Sequence, residues 1–306
     1  MAVTPPRPTA RNPGPSWGYQ FLRTADRWAP ECLFRPARAL GTLIAMAAMP
    51  TQRRHSREYL ACILGRAPTW RDVFRHFFAF EESLMTKLRV ANGRPHRTSY
   101  APGADDFRHW LEHGGPALLG TFHIGVSDLL GCQISDYGDH HIYVVRQRVA
   151  NSHDTDKLAE RFGPRLHFIW VNNPDETLYA LKEAAATPSA IALQCDRGGF
   201  SSRSEIFEFL GARRHFPFTL YHLALIFDRP VLLSIGIMES PSHAVLHTSP
   251  RFQREPGEPR DAALLRARAH FQAFLTQTEH LLRSHPYQWF NFTPLNPVAD
   301  DARPVA

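Results

Sequence analysis

Pro116-Ala-Leu-Leu-Gly-Thr-Phe-His-Ile-Gly-Val-Ser-Asp-Leu-Leu-Gly131 is the stretch whose reading decides the fold. Ala117 to Phe122 is a short, nearly unbroken apolar run of strand length, and Val126 to Ile134 behind it reads as a helix. Working outward, the same rhythm recurs. Strands are predicted at His141 to Arg146, His167 to Val171, Ala190 to Cys195 and Pro230 to Ile237. Helices are predicted at Asp154 to Phe162, Asp175 to Ala186, Pro217 to Phe227 and Ala262 to Ser284. Short apolar runs alternating with helices specify an α/β fold, a mixed, mostly parallel sheet flanked by helices.

Upstream, Trp17 to about Ala91 carries helical spacing, seen in Trp70, Val73, Phe74, Phe77, Phe78, Phe80 and Leu84, and Pro30, Pro36, Pro50 and Pro68 are expected to cut it into short helices. The expected organisation is a flexible Pro-rich tail at 1–16 and a single domain at 17–296, with a second flexible tail at 297–306. Within the domain, 17–91 is a helical N-terminal region and 114–296 the α/β core.

The 306 residues are 43% hydrophobic, enough for a sizeable core, which excludes wholesale disorder. A formal charge of +6 favours anionic partners. No basic run interleaved with aromatics supports nucleic-acid binding. Cys32, Cys62, Cys132 and Cys195 form no CxxC pair and read as reduced, buried thiols of a cytosolic protein without a cleaved secretory signal. No apolar stretch reaches bilayer-spanning length. Ala39 to Met49, flanked by Arg35, Arg38, Arg53 and Arg54, reads either as an interfacial segment with its arginines among lipid phosphates or as a core helix with a basic rim.

The chemistry gathers where strands end. His123 stands at the carboxyl end of a strand, where open α/β sheets hold ligands, and Asp128 falls near the start of the next helix, within reach of the imidazole. A histidine oriented by a carboxylate is a general base. Ser127 lacks the second glycine of a nucleophile elbow and is assigned a capping or packing role. Asp196-Arg197-Gly198-Gly199 closes another strand and should reach the same edge, with Arg197 placed to meet a phosphate or a developing oxyanion. Arg146 and Arg148 are further phosphate candidates, and Arg213 and Arg214 read as a basic turn. Among 17 histidines, His109-x3-His113 and His140-His141 lack a third ligand at zinc-like spacing, so no metal is expected. Trp289, Phe290 and Phe292 read as core or cleft wall.

His123-Ile-Gly-Val-Ser-Asp128 after an apolar strand resembles the His-x4-Asp/Glu signature of the lysophospholipid acyltransferase superfamily. Gln194-Cys-Asp-Arg-Gly-Gly199, Ile206-Phe-Glu-Phe-Leu-Gly211, Pro217-Phe, Leu223-Ala224 before Arg229-Pro-Val, and His285-Pro-Tyr-Gln-Trp-Phe-Asn-Phe resemble, in order, its late lipid A biosynthesis branch of lauroyl and myristoyl acyltransferases. The resemblance spans roughly 17–294. One departure stands out, since that branch usually carries glutamate where this chain has Asp128, and aspartate is more typical of glycerolipid acyltransferases.

The resemblance implies an acyltransferase acting without a covalent acyl-enzyme or cofactor. His123 would be the base, Asp128 its orienting carboxylate, and Asp196, Arg197, Gly198 and Arg146 would contact substrate. It further implies acyl carrier protein or coenzyme A as thioester carrier, a lipid or glycolipid acceptor, and a peripheral place on the cytoplasmic face of the inner membrane. The rivals are a glycerolipid or specialised-lipid acyltransferase, a thioester hydrolase, and a non-catalytic protein that binds anionic lipid.

Overall fold

The computed structural model describes residues 22, 24–129, 140–146, 163–171, 174–197 and 203–296, with the Asp128 side chain excepted. The predicted helix at 154–162 and most of the one at 126–134 lie outside the described residues. The part of the latter that is described is a single 3-10 turn, Ser127–Leu129, rather than an α-helix.

After a helical stretch at 24–28, three helices follow: α1 (Glu31–Ala48), α2 (Pro50–Leu64) and α3 (Trp70–Ala91). The predicted break at Pro36 is absent. Pro36 lies inside α1, and the carbonyl that loses its amide partner belongs to Cys32, an exposed residue, so the lost bond costs little. Pro50 instead opens α2, its missing N–H being one that no helix start uses, and α2 leaves α1 at 99°. A capping box starts α3: Thr69 accepts from the Asp72 backbone, and the Asp72 carboxylate accepts from the Thr69 backbone.

The remainder is β1 (Arg97–Tyr100), α4 (Asp105–His113), β2 (Ala117–Gly125), β3 (Ile142–Arg146), β4 (Leu166–Trp170), α5 (Pro174–Ala185), β5 (Ala190–Gln194), β6 (Ser204–Phe209), β7 (Ala212–Pro217), α6 (Thr219–Phe227), β8 (Val231–Ser240), β9 (His243–Thr248) and α7 (Arg260–Ser284). All five predicted strands are present. The seven-stranded sheet runs β1-β9-β8-β2-β5-β3-β4, parallel throughout except where β9 pairs antiparallel with β8. The chain is therefore α/β with a mixed, mostly parallel sheet and helices at its N-terminus. The β6–β7 hairpin stands apart as a second small sheet.

β2 is central, and both of its faces are buried. Leu118 and Phe122 pack with Ile191, Leu220, Phe271 and Phe274 under α6 and α7. Ala117 and Leu119 pack with Phe107, Trp110 and Leu111 of α4. Burial on both sides is why β2 reads as an apolar run instead of an alternation.

One basic position differs from the reading of the sequence. Arg214 is buried and donates to the Phe209 and Asn296 carbonyls, because an arginine under the hairpin must satisfy its donors internally. The thiols also vary: Cys195 is buried, Cys62 partly so, and Cys32 is exposed, while Cys132 is outside the described residues.

Helices α2 and α3 are tied to the C-terminal segment by His76, which is fully buried. Its Nδ1 accepts from Ser56 Oγ at 2.8 Å, and its Nε2 donates to the Trp289 carbonyl at 2.8 Å. Burial pushes its pKa from the ordinary 6.5 down to about 4, the bond to Trp289 only partly opposing it. The unfolded chain then binds a proton that the folded chain refuses. Stability should be full above about pH 6.5 and should fall as pH drops toward about 4, by about 1.4 kcal/mol per pH unit from this group. Denaturant unfolding across that window checks this, with His76→Phe expected to flatten the dependence.

Candidate active site

The position of His123 follows from an irregularity in β2. From Thr121 to Gly125 this strand spends four residues where β8 spends two, from Ser234 to Gly236. The surplus residues bulge outward, and such bulges re-aim side chains at the ends of sheets. Gly125 closes the bulge in a left-handed conformation, φ 55°, with its carbonyl accepting from Ser83 Oγ of α3 at 2.9 Å. A Cβ there would lie 2.0 Å from the Gly236 carbonyl oxygen, so only glycine fits.

On the other side of β2, the parallel ladder to β5 pairs Ala117 with Ala190 and proceeds in step to Thr121 with Gln194. Continued two residues further, the same register sets His123 opposite Asp196. The Asp196 carboxylate is the group the histidine meets. Its Oδ1 lies 2.8 Å from His123 Nδ1, and its Oδ2 accepts the His123 backbone N–H at 2.8 Å. Trp289 Nε1 donates to the same Oδ2 at 2.9 Å.

Asp196 is 1% exposed, and burial alone would raise its pKa. The charge and hydrogen bond of His123, the Arg197 guanidinium and the Trp289 N–H outweigh that and hold it below the usual carboxylate range. An ionised Asp196 accepts from Nδ1–H, which leaves Nε2 of the imidazole as the basic nitrogen. The His123 side chain is 22% exposed, and no described residue hydrogen-bonds Nε2.

The segment after α7 straps this edge. Gln288 carbonyl accepts from Gly125 N–H, Phe290 N–H donates to the His123 carbonyl, and Ile124 and Trp289 form an antiparallel bridge. The Gln288 side chain closes both the N–H and the carbonyl of Met238 on β8. His123 is thus fixed from β5 on one side and from the strap on the other.

No protein-family model and no curated protein matches this chain. What the predicted residues do is therefore read from their geometry alone. His123 and Asp196 come together: the Asp196 carboxylate, expected to contact substrate, bonds the imidazole. The Asp128 backbone lies in the 3-10 turn after β2, while its side chain, Gly198 and Arg148 lie outside the described residues.

Arg197 follows Asp196 at the same edge and uses Nη2 to hold the Phe290 carbonyl at 2.7 Å. Arg146 ends β3, whose register with β5 sets it level with Gln194, and its side chain is exposed on the same edge. Ser127 has the packing role expected of it: Oγ donates to the Ile124 carbonyl and accepts from Gly236 N–H. Among the described residues no group of three or more His, Cys, Asp or Glu side chains is arranged to hold a metal ion. The His123–Asp196 pairing was missed because its signal, equal spacing from the starts of two strands, becomes visible only once those strands are known to be neighbours.

Gly125→Ala should lower stability by about 1–3 kcal/mol, since it combines a left-handed backbone with a backbone clash. Thermal unfolding of the variant measures this.

Proposed function

We propose that the protein is an acyltransferase that moves a fatty acyl group from an acyl thioester, carried by acyl carrier protein or coenzyme A, to a hydroxyl or amine of a lipid or glycolipid. The single observation that carries this reading is the His123 imidazole held through Nδ1 by a buried, ionised Asp196 at the carboxyl end of β2, with no described residue bonded to Nε2.

In the reaction, Nε2 takes the proton of the acceptor as its oxygen or nitrogen bonds to the thioester carbonyl carbon. The carbon–sulfur bond then breaks, and the thiolate leaves with the proton returned by the imidazolium. Asp196 stabilises the charged ring without itself being protonated. Arg197 and the exposed Arg146 supply positive charge at the same edge for phosphates of donor or acceptor. The acyl-transfer motif begun by His123 and ended by Asp128 supports the substrate class. Its lipid A-like and glycerolipid-like forms remain the two acceptor readings.

His123→Ala should lower acyl transfer roughly 10²- to 10⁴-fold while keeping the fold. Asp196→Asn should be comparably severe, because the amide can present N–H to Nδ1 and favour the wrong tautomer. Thiol release from long-chain acyl thioesters, with lipid products followed by mass spectrometry, measures both. Undiminished transfer in His123→Ala would remove His123 as the base, lipid binding with no transfer by the wild-type protein would replace this reading with the non-catalytic one, and thiol release without an acylated lipid would indicate a hydrolase.

The membrane part of the reading rests on α1, which turns the wrong side to water. Leu33, Leu40 and Ile44 are 69%, 58% and 63% exposed, joined by Leu43 and Met49, with no charged residue between Ala39 and Thr51. Its inward side carries an ionic seam beside the buried Phe34 and Met46. Arg38 is buried between Glu31 and Glu81, and Arg35 bonds Glu82 of α3.

The arginines read as contacts for lipid phosphates are therefore engaged with protein. Arg53 likewise caps α1 through the Met46 and Ala47 carbonyls, and Arg54, like Arg35, stays largely exposed, 3.7 Å from Glu58. An apolar outer face over an ionic seam suits a helix lying in a lipid interface. No single helix among the described residues is long and apolar enough to cross a membrane. Leu40→Glu with Ile44→Glu should abolish co-sedimentation with anionic phospholipid vesicles at low salt, whereas Arg53→Ala should destabilise the helix junction more than it weakens binding.

A further inference from the structure

We propose that Trp289 is a positioning residue for His123, and that through it the N-terminal helices form part of the catalytic apparatus instead of serving only as an attachment. The proposal deepens the reading of His123 as the base and rests on it.

Trp289 meets the pair at the carboxylate. Asp196 Oδ2 accepts two donors, the His123 backbone N–H at 2.8 Å and the indole Nε1–H at 2.9 Å, and this leaves Oδ1 aimed at His123 Nδ1 at 2.8 Å. With the backbone donor alone the carboxylate could still turn about its own bonds. The indole supplies the second fixed direction that prevents it.

The indole itself cannot swing. It is 1% exposed and stands edge-on to Tyr59 at 5.1 Å and to Phe209 at 5.4 Å. A buried indole N–H needs an acceptor, and here the acceptor is the one carboxylate on which the base depends.

At its backbone, Trp289 joins the other layer. Its carbonyl accepts from His76 Nε2 of α3 at 2.8 Å, and His76 Nδ1 accepts from Ser56 Oγ of α2 at 2.8 Å. Both ring nitrogens of His76 are therefore assigned, one donor and one acceptor, which is a neutral imidazole. Hydrogen bonds donated in one direction run from Ser56 through His76 and Trp289 into Asp196, which also accepts from His123, and the inner members are buried. Small rotations of a supporting group are enough to lower a catalytic rate substantially.

Trp289→Phe keeps an aromatic ring in the site and removes only the N–H. Expected are a kcat lowered roughly 10- to 100-fold with KM nearly unchanged, and a shift or broadening of the downfield proton resonance of His123 Nδ1–H, assigned by its loss in His123→Ala. His76→Phe, which fills the same space against Phe292 but cannot donate to the Trp289 carbonyl, should move that resonance in the same direction by less.

A wild-type resonance and wild-type kcat in folded Trp289→Phe would overturn the proposal. So would a loss of rate with the resonance unmoved, or failure of both variants to fold, since the role would then be structural alone. Failure of the underlying reading looks different, because His123→Ala would then retain activity whatever Trp289 does.

Discussion

A negative charge kept inside the protein is the constraint on which the rest of the structure depends. Burying a carboxylate is costly unless hydrogen-bond donors replace the water it loses. Asp196 receives them from the His123 backbone, the His123 ring and the Trp289 indole, with the Arg197 guanidinium close enough to add its field. The donors come from two distant parts of the chain, the end of β2 and the segment after α7. The ladder between β2 and β5 must hold its register, the bulge in β2 must lift His123, and the segment after α7 must cross the edge of the sheet. An error in any of these leaves a buried charge unpaired, so the geometry of the pair and the stability of the fold are one problem.

The helical N-terminal region meets the sheet through that same edge. Ser83 of α3 bonds the Gly125 carbonyl two residues from His123, while Glu81 and Glu82 on the same helix hold α1 by its arginines. Helix α3 thus touches both α1, whose outer face is apolar, and the residue that closes the bulge after the histidine. For an enzyme whose acceptor is a lipid, this keeps the reacting edge close to the surface from which the acceptor comes. On the inner side of α1 the Arg38–Glu81 pair is largely buried and so little screened by salt, whereas Arg35 and Glu31 keep much of their contact with solvent.

The elements that could not be read from the sequence are instructive. β1, Arg97–Tyr100, is short and polar, and β9, His243–Thr248, mixes apolar and polar positions. Both lie toward one margin of the sheet, where burial on both faces no longer imposes an apolar run. Pro36 was expected to interrupt a helix and does not, because a lost backbone bond matters little at an exposed residue. Arg38 and Arg214 were read as surface cations and are buried, since each finds acceptors from distant segments that no local pattern announces.

By itself the sequence determined the layer architecture, five of the strands, and the placement of His123 and Asp196 at strand ends, because apolar periodicity and strand length are local properties. The tertiary structure alone decided that β2 and β5 are neighbours with a ladder in step, and hence that His123 meets Asp196. It also decided that Trp289, 93 residues beyond Asp196, completes the carboxylate's bonds. Register between strands is set by packing of both sheet faces at once, a condition that involves the whole chain and leaves no trace in any single stretch of it.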